Sequence, residues 1–153
     1  MSIFHSMDTT GSALTAQRLR MDVISSNMAN VDSTRAKKVN GQWVPYTRKS
    51  VTLVPKENSF SNYMNLAMGG VGNESVGNGV KVTSINEDTK TPYKLVYDPT
   101  NPDANADGYV QMPNVDPLKE MVDLISATRS YEANVTVFDA NKSMLSKALE
   151  IGK

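Results

Sequence analysis

The sequence predicts an α+β chain: long amino- and carboxyl-terminal helices pairing in a coiled-coil-like bundle, with a small, loop-rich β unit between them. Two observations predict it. At the amino end Ile3, Met7, Thr10, Leu14, Gln17, Met21, Ile24, Met28 and Val31 recur at alternating steps of four and three, and Met121, Leu124, Thr128, Tyr131, Val135, Phe138, Lys142, Leu145 and Leu149 do the same at the carboxyl end. That spacing keeps one narrow stripe on a partner helix. Between the stripes, from Gly41 to Pro117, lie all seven prolines and seven of the nine glycines. An ordinary helical hairpin that buries its own two stripes fits the same pattern.

The first helix is expected from about Phe4 to Ala29, with Gly11 as its weak point. Asparagine, aspartate and hydroxyl side chains from Asn27 to Thr34 compete for backbone hydrogen bonds and form its exit, so the chain turns near Asn30. Asn40-Gly41 is the dipeptide of a two-residue hairpin turn, with strand material from Ala36 to Val39 and from Gln42 to Tyr46, and Pro45 marks an edge. Arg48 to Val54, Val80 to Ile85 and Tyr93 to Tyr97 also read as strands. Phe60 to Met68 fits a short helix or a loop equally well. Five glycines between Gly69 and Gly79 make a flexible connection, and Asp98 to Gly108 is turn chemistry.

Asp116 is a good N-cap and Pro117 suits the first helical position, so the last helix starts there and runs to about Glu150, with Gly152 as a stop. Val122 and Ile125 widen its apolar stripe, which points to more than one neighbour. The chain divides into an amino-terminal arm (1–34), a β-rich outer unit (35–111) and a carboxyl-terminal arm (112–153).

Sixteen basic residues balance sixteen acidic ones, so no overall field draws the chain to nucleic acid or an anionic membrane. There is no cysteine, which excludes disulfides and thiolate metal sites. The opening residues lack the basic and apolar regions of a secretory signal, and no apolar run is long enough for a lipid-embedded span.

Catalysis finds little support. His5, the one histidine, stands near a terminus, and Glu57, Glu74, Glu87 and Asp88 lie in or beside loops without a supporting pattern. Asp103 to Gly108 matches the first six positions of a calcium loop, so a small calcium-binding module using Asp103 and Asp107 is the alternative reading. Its twelfth position, however, is Asn114 where a bidentate glutamate is needed. An Asx-rich turn is the simpler expectation. Gly69-Gly70-Val71-Gly72 lacks the Lys-Ser/Thr of a phosphate loop. Arg35, Lys37, Lys38, Arg48 and Lys49 flank the hairpin, either as a solvated edge guarded against strand pairing or as a contact for an acidic face of a partner. Met7, Met21 and Met28 suit a seam that adapts to different neighbours, with core filling within one chain as the competing explanation.

The segment from Gly11 to Thr34, with Leu14-Thr15-Ala16-Gln17 and Ser26-Asn27-Met28-Ala29-Asn30-Val31, resembles the amino-terminal signature of the bacterial flagellar rod and hook axial proteins. The stretches Met112 to Pro117, Glu120 to Asp123, Ser130-Tyr131-Glu132-Ala133-Asn134-Val135 and Lys147 to Gly152 resemble the ending of that family's short proximal-rod members. The resemblance implies a structural subunit of the flagellar basal body, exported by the flagellum's type III apparatus and assembled with other rod proteins and copies of itself. It implies terminal helices that line the inner tube, a β unit that faces outward, and no cofactor. The residues expected to meet neighbouring subunits are Met7, Leu14, Met21, Ile24, Met28, Asn30, Val31, Met121, Leu124, Tyr131, Asn134, Val135, Phe138, Leu145 and Leu149. Long helices draw most of their stability from packing, so arms of an isolated subunit are expected to be partly disordered and to order on joining the rod.

Overall fold

The computed structural model describes residues 4–39, 41–56, 64, 67–68 and 78–151. Helix α1 is His5–Ala29 and helix α2 is Pro117–Ile151. Between them come β1 (Lys37–Val39), β2 (Gln42–Val44), β3 (Lys49–Pro55), β4 (Val80–Glu87), β5 (Lys94–Tyr97) and β6 (Tyr109–Met112). The chain is α+β, with its helices at the two ends. Phe60 to Met68 lies mostly outside the described residues, as does Gly69 to Gly79 apart from its last two positions.

Local chemistry accounts for the helix ends. Asp116 Oδ1 accepts the Leu118 N–H at 3.2 Å, and its carbonyl accepts the Glu120 N–H at 3.0 Å, so α2 starts on a capped turn with proline where no donor is needed. At the far end of α1 the bonds tighten to i+3, from Asn30 N to the Asn27 carbonyl and from Val31 N to the Met28 carbonyl. The Asn30 amide donates back to the Ser26 carbonyl at 2.8 Å, which satisfies an orphan acceptor of the last turn.

The strands form three separate two-stranded ribbons, β1-β2, β3-β4 and β5-β6. A lone ribbon is marginal in water, so each depends on what it leans against. In β1-β2 the antiparallel register pairs Val39 with Gln42, and Gly41 takes φ of 87°, which only glycine adopts cheaply. Asn40 itself lies outside the described residues. Strand β6, which nothing in the sequence reading anticipated, pairs antiparallel with β5 and sets Tyr97 edge-on to Tyr109 at 5.3 Å. Between them the turn is built from side-chain bonds to the backbone: Thr100 N donates to Asp98 Oδ1 and Asp103 N to Asn101 Oδ1.

Two compact units emerge from the chain. One contains residues 1–18, 52–83 and 128–153. Here Ser12 Oγ donates to the Thr9 carbonyl at 2.7 Å and accepts the Val80 N–H at 3.1 Å, pinning the start of β4 to α1. Thr10 and Ala16 are buried, and Met7, Leu14 and Gln17 are half-buried on the same helix. On α2, Tyr131, Asn134, Val135, Phe138 and Leu145 are half-buried, whereas Leu149 is exposed.

The other unit contains residues 19–51 and 84–127. Val23, Ile24, Tyr46, Val110, Val115 and Ala127 are among its buried apolar side chains, with Pro45 and Pro113. Met21, Met28, Val31 and Leu124 are half-buried and Met121 exposed. The buried positions of α2 are Glu120 and Ala127, one place to the amino side of the predicted Met121 and Thr128. A straight helix drifts against a strict seven-residue repeat, and a polar demand at Glu120, described below, sets which edge of the stripe turns inward.

Two glycines of the first unit make opposite predictions. A Cβ at Gly11 would meet nothing within 4 Å, so Gly11→Ala should stabilise the protein by about 1 kcal/mol in urea denaturation. Gly79 has φ of 85°, and its Cβ would fall 2.3 Å from Ser12 Oγ, so Gly79→Ala should cost about 2 kcal/mol in the same assay.

Candidate functional site

Near the end of α1, Asn27 faces inward and is 1 % exposed. An asparagine amide offers two donor hydrogens and two acceptor lone pairs, and all four are used. Its Nδ2 donates to the Lys49 carbonyl at 2.8 Å and to Glu120 Oε2 at 3.0 Å. Its Oδ1 accepts the Lys49 N–H at 2.9 Å and the Tyr46 hydroxyl at 3.1 Å. The side chain thus pairs with both backbone polar groups of one β3 residue, Lys49, as a neighbouring strand would, and ties that residue to α2.

Glu120 is wholly buried. Its Oε1 accepts Arg48 Nε at 2.6 Å, and the same guanidinium reaches Asp123 at 3.4 Å, which in turn lies 3.6 Å from Arg20 on α1. A charge removed from water needs both a counter-charge and hydrogen bonds on its remaining lone pairs, and Glu120 has them. Asn114 repeats the device one step away. It accepts the Arg48 N–H at 2.8 Å and donates to the Asp88 and Thr91 carbonyls at 2.8 and 3.0 Å, fixing the loop after β4 against the entry to β3. Asn27, Arg48, Asn114 and Glu120 therefore form one junction that clamps α1, β3 and the start of α2.

The basic cluster predicted beside the hairpin is spread among separate partners. Arg35 pairs with Asp103, Lys37 with Glu87 at 2.8 Å and Arg48 with Glu120. Lys38 lies over the Trp43 ring and Lys49 over the Tyr46 ring, at 5.9 and 5.7 Å from the centroids. Between Arg35, Lys37, Thr47, Lys49 and the exit of α1 there is a cavity of about 450 Å³.

The half-motif for calcium is otherwise engaged. Asp103 accepts from Arg35 Nε at 2.6 Å and from Thr34 Oγ1 at 2.8 Å, so its carboxylate ties the turn to the chain leaving α1. Among the described residues no group of three acidic or histidine side chains is placed to hold a metal ion, and no helix is long and apolar enough to cross a membrane.

Of the residues expected to meet neighbours, Asn30 and Asn134 spend an amide hydrogen on their own helices, Asn134 at 2.8 Å to the Ser130 carbonyl. Sequence reasoning placed Asn27 only in a helix exit and did not single out Glu120. The available signal was position: Asn27 falls beside Ile24 and Met28 on the inward stripe, and Glu120 abuts Met121, so each is a polar residue set against an apolar seam.

Comparison with known proteins extends across both helices. The family model for flagella basal body rod proteins matches residues 7–37, and the model for the carboxyl-terminal part of the flagellar basal body rod FlgEFG proteins matches residues 106–151. The flagellar basal-body rod protein FlgC of Bacillus subtilis (strain 168) is 67% identical over the whole of both chains. The chain belongs to the FlgC family of flagellar basal-body rod proteins. FlgC of Borreliella burgdorferi is 43% identical over 99% of this chain and 98% of its own. FlgC of Salmonella typhimurium is 43% identical over the full length of both. The FlgC likeness therefore spans the whole chain, well beyond the two terminal segments.

Truncating Asn27 to alanine leaves a buried peptide N–H, a carbonyl and part of a carboxylate without partners. Asn27→Ala should cost about 3 kcal/mol in urea denaturation, and Asn27→Leu should be no better, because the lost groups are polar. Acid should act on the surface ion pairs. Arg35 and then Thr34 hold Asp103 below its ordinary value of 3.8, Lys37 holds Glu87 below 4.5, and the Thr91 hydroxyl and N–H do the same for Asp88. A depressed carboxylate contributes stability that is complete above its unfolded pKa and is lost as pH falls through the folded one. Stability should therefore be flat near neutrality and fall below about pH 4, and Asp103→Asn should make that acid limb shallower in a pH series of denaturation midpoints.

Proposed function

We propose that the protein is a structural subunit of the flagellar basal-body rod, in its proximal part outside the cytoplasmic membrane. The observation that carries the reading is the 67% identity, end to end, with a protein named for that structure. The role requires no reaction. It requires surfaces that hold neighbours, and α2 has two. One side carries Glu120, Leu124, Ala127, Tyr131 and Phe138, turned toward the rest of the chain. On the roughly opposite side, at 100° per residue, stand Leu118, Val122, Ile125, Val137, Met144 and Ile151, all exposed. A helix with two apolar sides is made for burial between partners.

In this reading the arms, 1–34 and 112–153, meet copies of the same chain and other rod proteins around the export channel, and the unit 35–111 faces outward. Met7, Leu14, Met21, Ile24, Met28, Asn30 and Val31 contribute from the first arm. Met121, Leu124, Tyr131, Asn134, Val135, Phe138, Leu145 and Leu149 contribute from the second. Buried Gln17 Oε1 has no hydrogen-bond partner among the described residues, which suits a seam completed by another molecule. The amino half of α1 is a weak helix by itself, since Thr9, Thr10, Ser12 and Thr15 all bond back to their own helix. Such an arm passes the type III export apparatus unfolded and orders on assembly. Torque then travels through interlocked helices.

Deleting the gene should abolish swimming and leave basal bodies without a complete rod. In the complementing gene, Val122→Asp or Ile125→Asp alters an exposed site that the fold of the single chain does not use, so the protein should be made and exported while swimming stays lost. Normal swimming by the deletion strain would sink the proposal.

A further inference from the structure

One unit of the chain carries both a slim acidic tip and a basic cavity. Residues 35–49 hold five basic side chains and no acidic one, and residues 98–108 hold three aspartates and no basic one. The acidic turn is firmly set: Asp103 is held by Arg35 and Thr34, and Gly108 N donates to the Asn105 carbonyl at 2.8 Å, with Gly108 at φ of 79°. At its end Ala106 and Asp107 are exposed, and among the described residues the Asp107 carboxylate makes no hydrogen bond or ion pair. Alanines on either side of Asn105 keep the tip narrow.

The cavity has the complementary chemistry. Its lining includes the cations Arg35, Lys37 and Lys49, the hydroxyls of Ser33 and Thr47, and one carboxylate, Glu87. Arg35 is matched by Asp103, while the single carboxylate of the lining, Glu87, pairs with Lys37 and also feels the charge of Lys49, so two ammonium groups share one anion and the cavity keeps an excess of positive charge for an incoming one. At about 450 Å³ the cavity has room for an aspartate and its small neighbour.

We infer that the Ala106-Asp107 tip of one copy docks in the Lys49 cavity of the next copy. Made in one sense from each copy to the next, the contact is heterologous and propagates head to tail, as a ring or helical rod requires. The inference rests on the rod-subunit reading, and it names the side chains that set the order of neighbouring copies. Charge pairs of this kind fix register and exclude wrong partners more than they add affinity.

The absence of native cysteine makes the test clean. Basal bodies from cells producing Asp107→Cys/Lys49→Cys, treated with a short thiol-to-thiol crosslinker, should give a ladder of dimers, trimers and larger species on a denaturing gel. Either single variant should give no ladder. Monomer alone, from basal bodies that contain the double variant, overturns the docking and leaves the rod reading standing, whereas absence of the unaltered protein from the basal bodies of swimming cells overturns the rod reading itself. A second arm uses charge. Asp107→Lys should reduce swimming speed at least twofold, and Asp107→Lys with Lys49→Asp should recover most of it. Unchanged swimming in Asp107→Lys, or no recovery in the exchange variant when it is exported normally, counts against the docking.

Discussion

The amide of Asn27 is the constraint on which the fold depends. Among the described residues only a handful of apolar side chains are buried, so non-directional burial sets the rotation of the helices weakly. An asparagine with four hydrogen bonds sets it strongly, because turning α1 by one residue would leave the N–H and carbonyl of Lys49, a tyrosine hydroxyl and a carboxylate without this partner at once. Glu120 extends the same logic to α2. Replacing such a network by hydrocarbon is often neutral for stability, whereas removing one member is costly, so its value lies in choosing a single arrangement.

A chain organised this way separates two tasks that usually compete. Polar bonds define the subunit, which leaves much of the apolar surface of α2 free to define the assembly. Leu118, Val122 and Ile125 stand exposed within a few residues of the wholly buried Glu120. One short stretch of helix therefore faces its own chain with a carboxylate and presents hydrocarbon to the outside. In an ordinary globule the order would be reversed. Membership of the FlgC family gives this inversion a purpose, since a rod subunit has its largest partners outside itself.

What the sequence disclosed was whatever neighbouring residues decide. The cap at Asp116-Pro117, the hairpin pairing of β1 with β2 around Gly41 and the helix exit near Asn30 each follow from contacts within four residues, and each stands where it was expected. Strand β6 was missed because four residues with a single buried valine carry almost no periodic signal, and its pairing depends on β5 across a long turn. The gathering of Arg48, Asn114 and Glu120 could not be read at all. Nothing local distinguishes an asparagine that will hold three backbone groups from one that will sit in water, and the basic cluster looked like a solvated edge until its members were seen to have separate partners.

The hydrogen bond between Asn27 and Glu120 joins residues 93 apart. Closing so long a loop carries a large entropic cost, and contacts of such separation form late and slowly. A newly made chain therefore spends an extended interval without its central clamp, with no covalent crosslink to make good the lack. In the export route proposed above, that delay is useful. The tie that makes the molecule rigid is also the last to be fastened, and it can be fastened only after both ends have arrived at the same place.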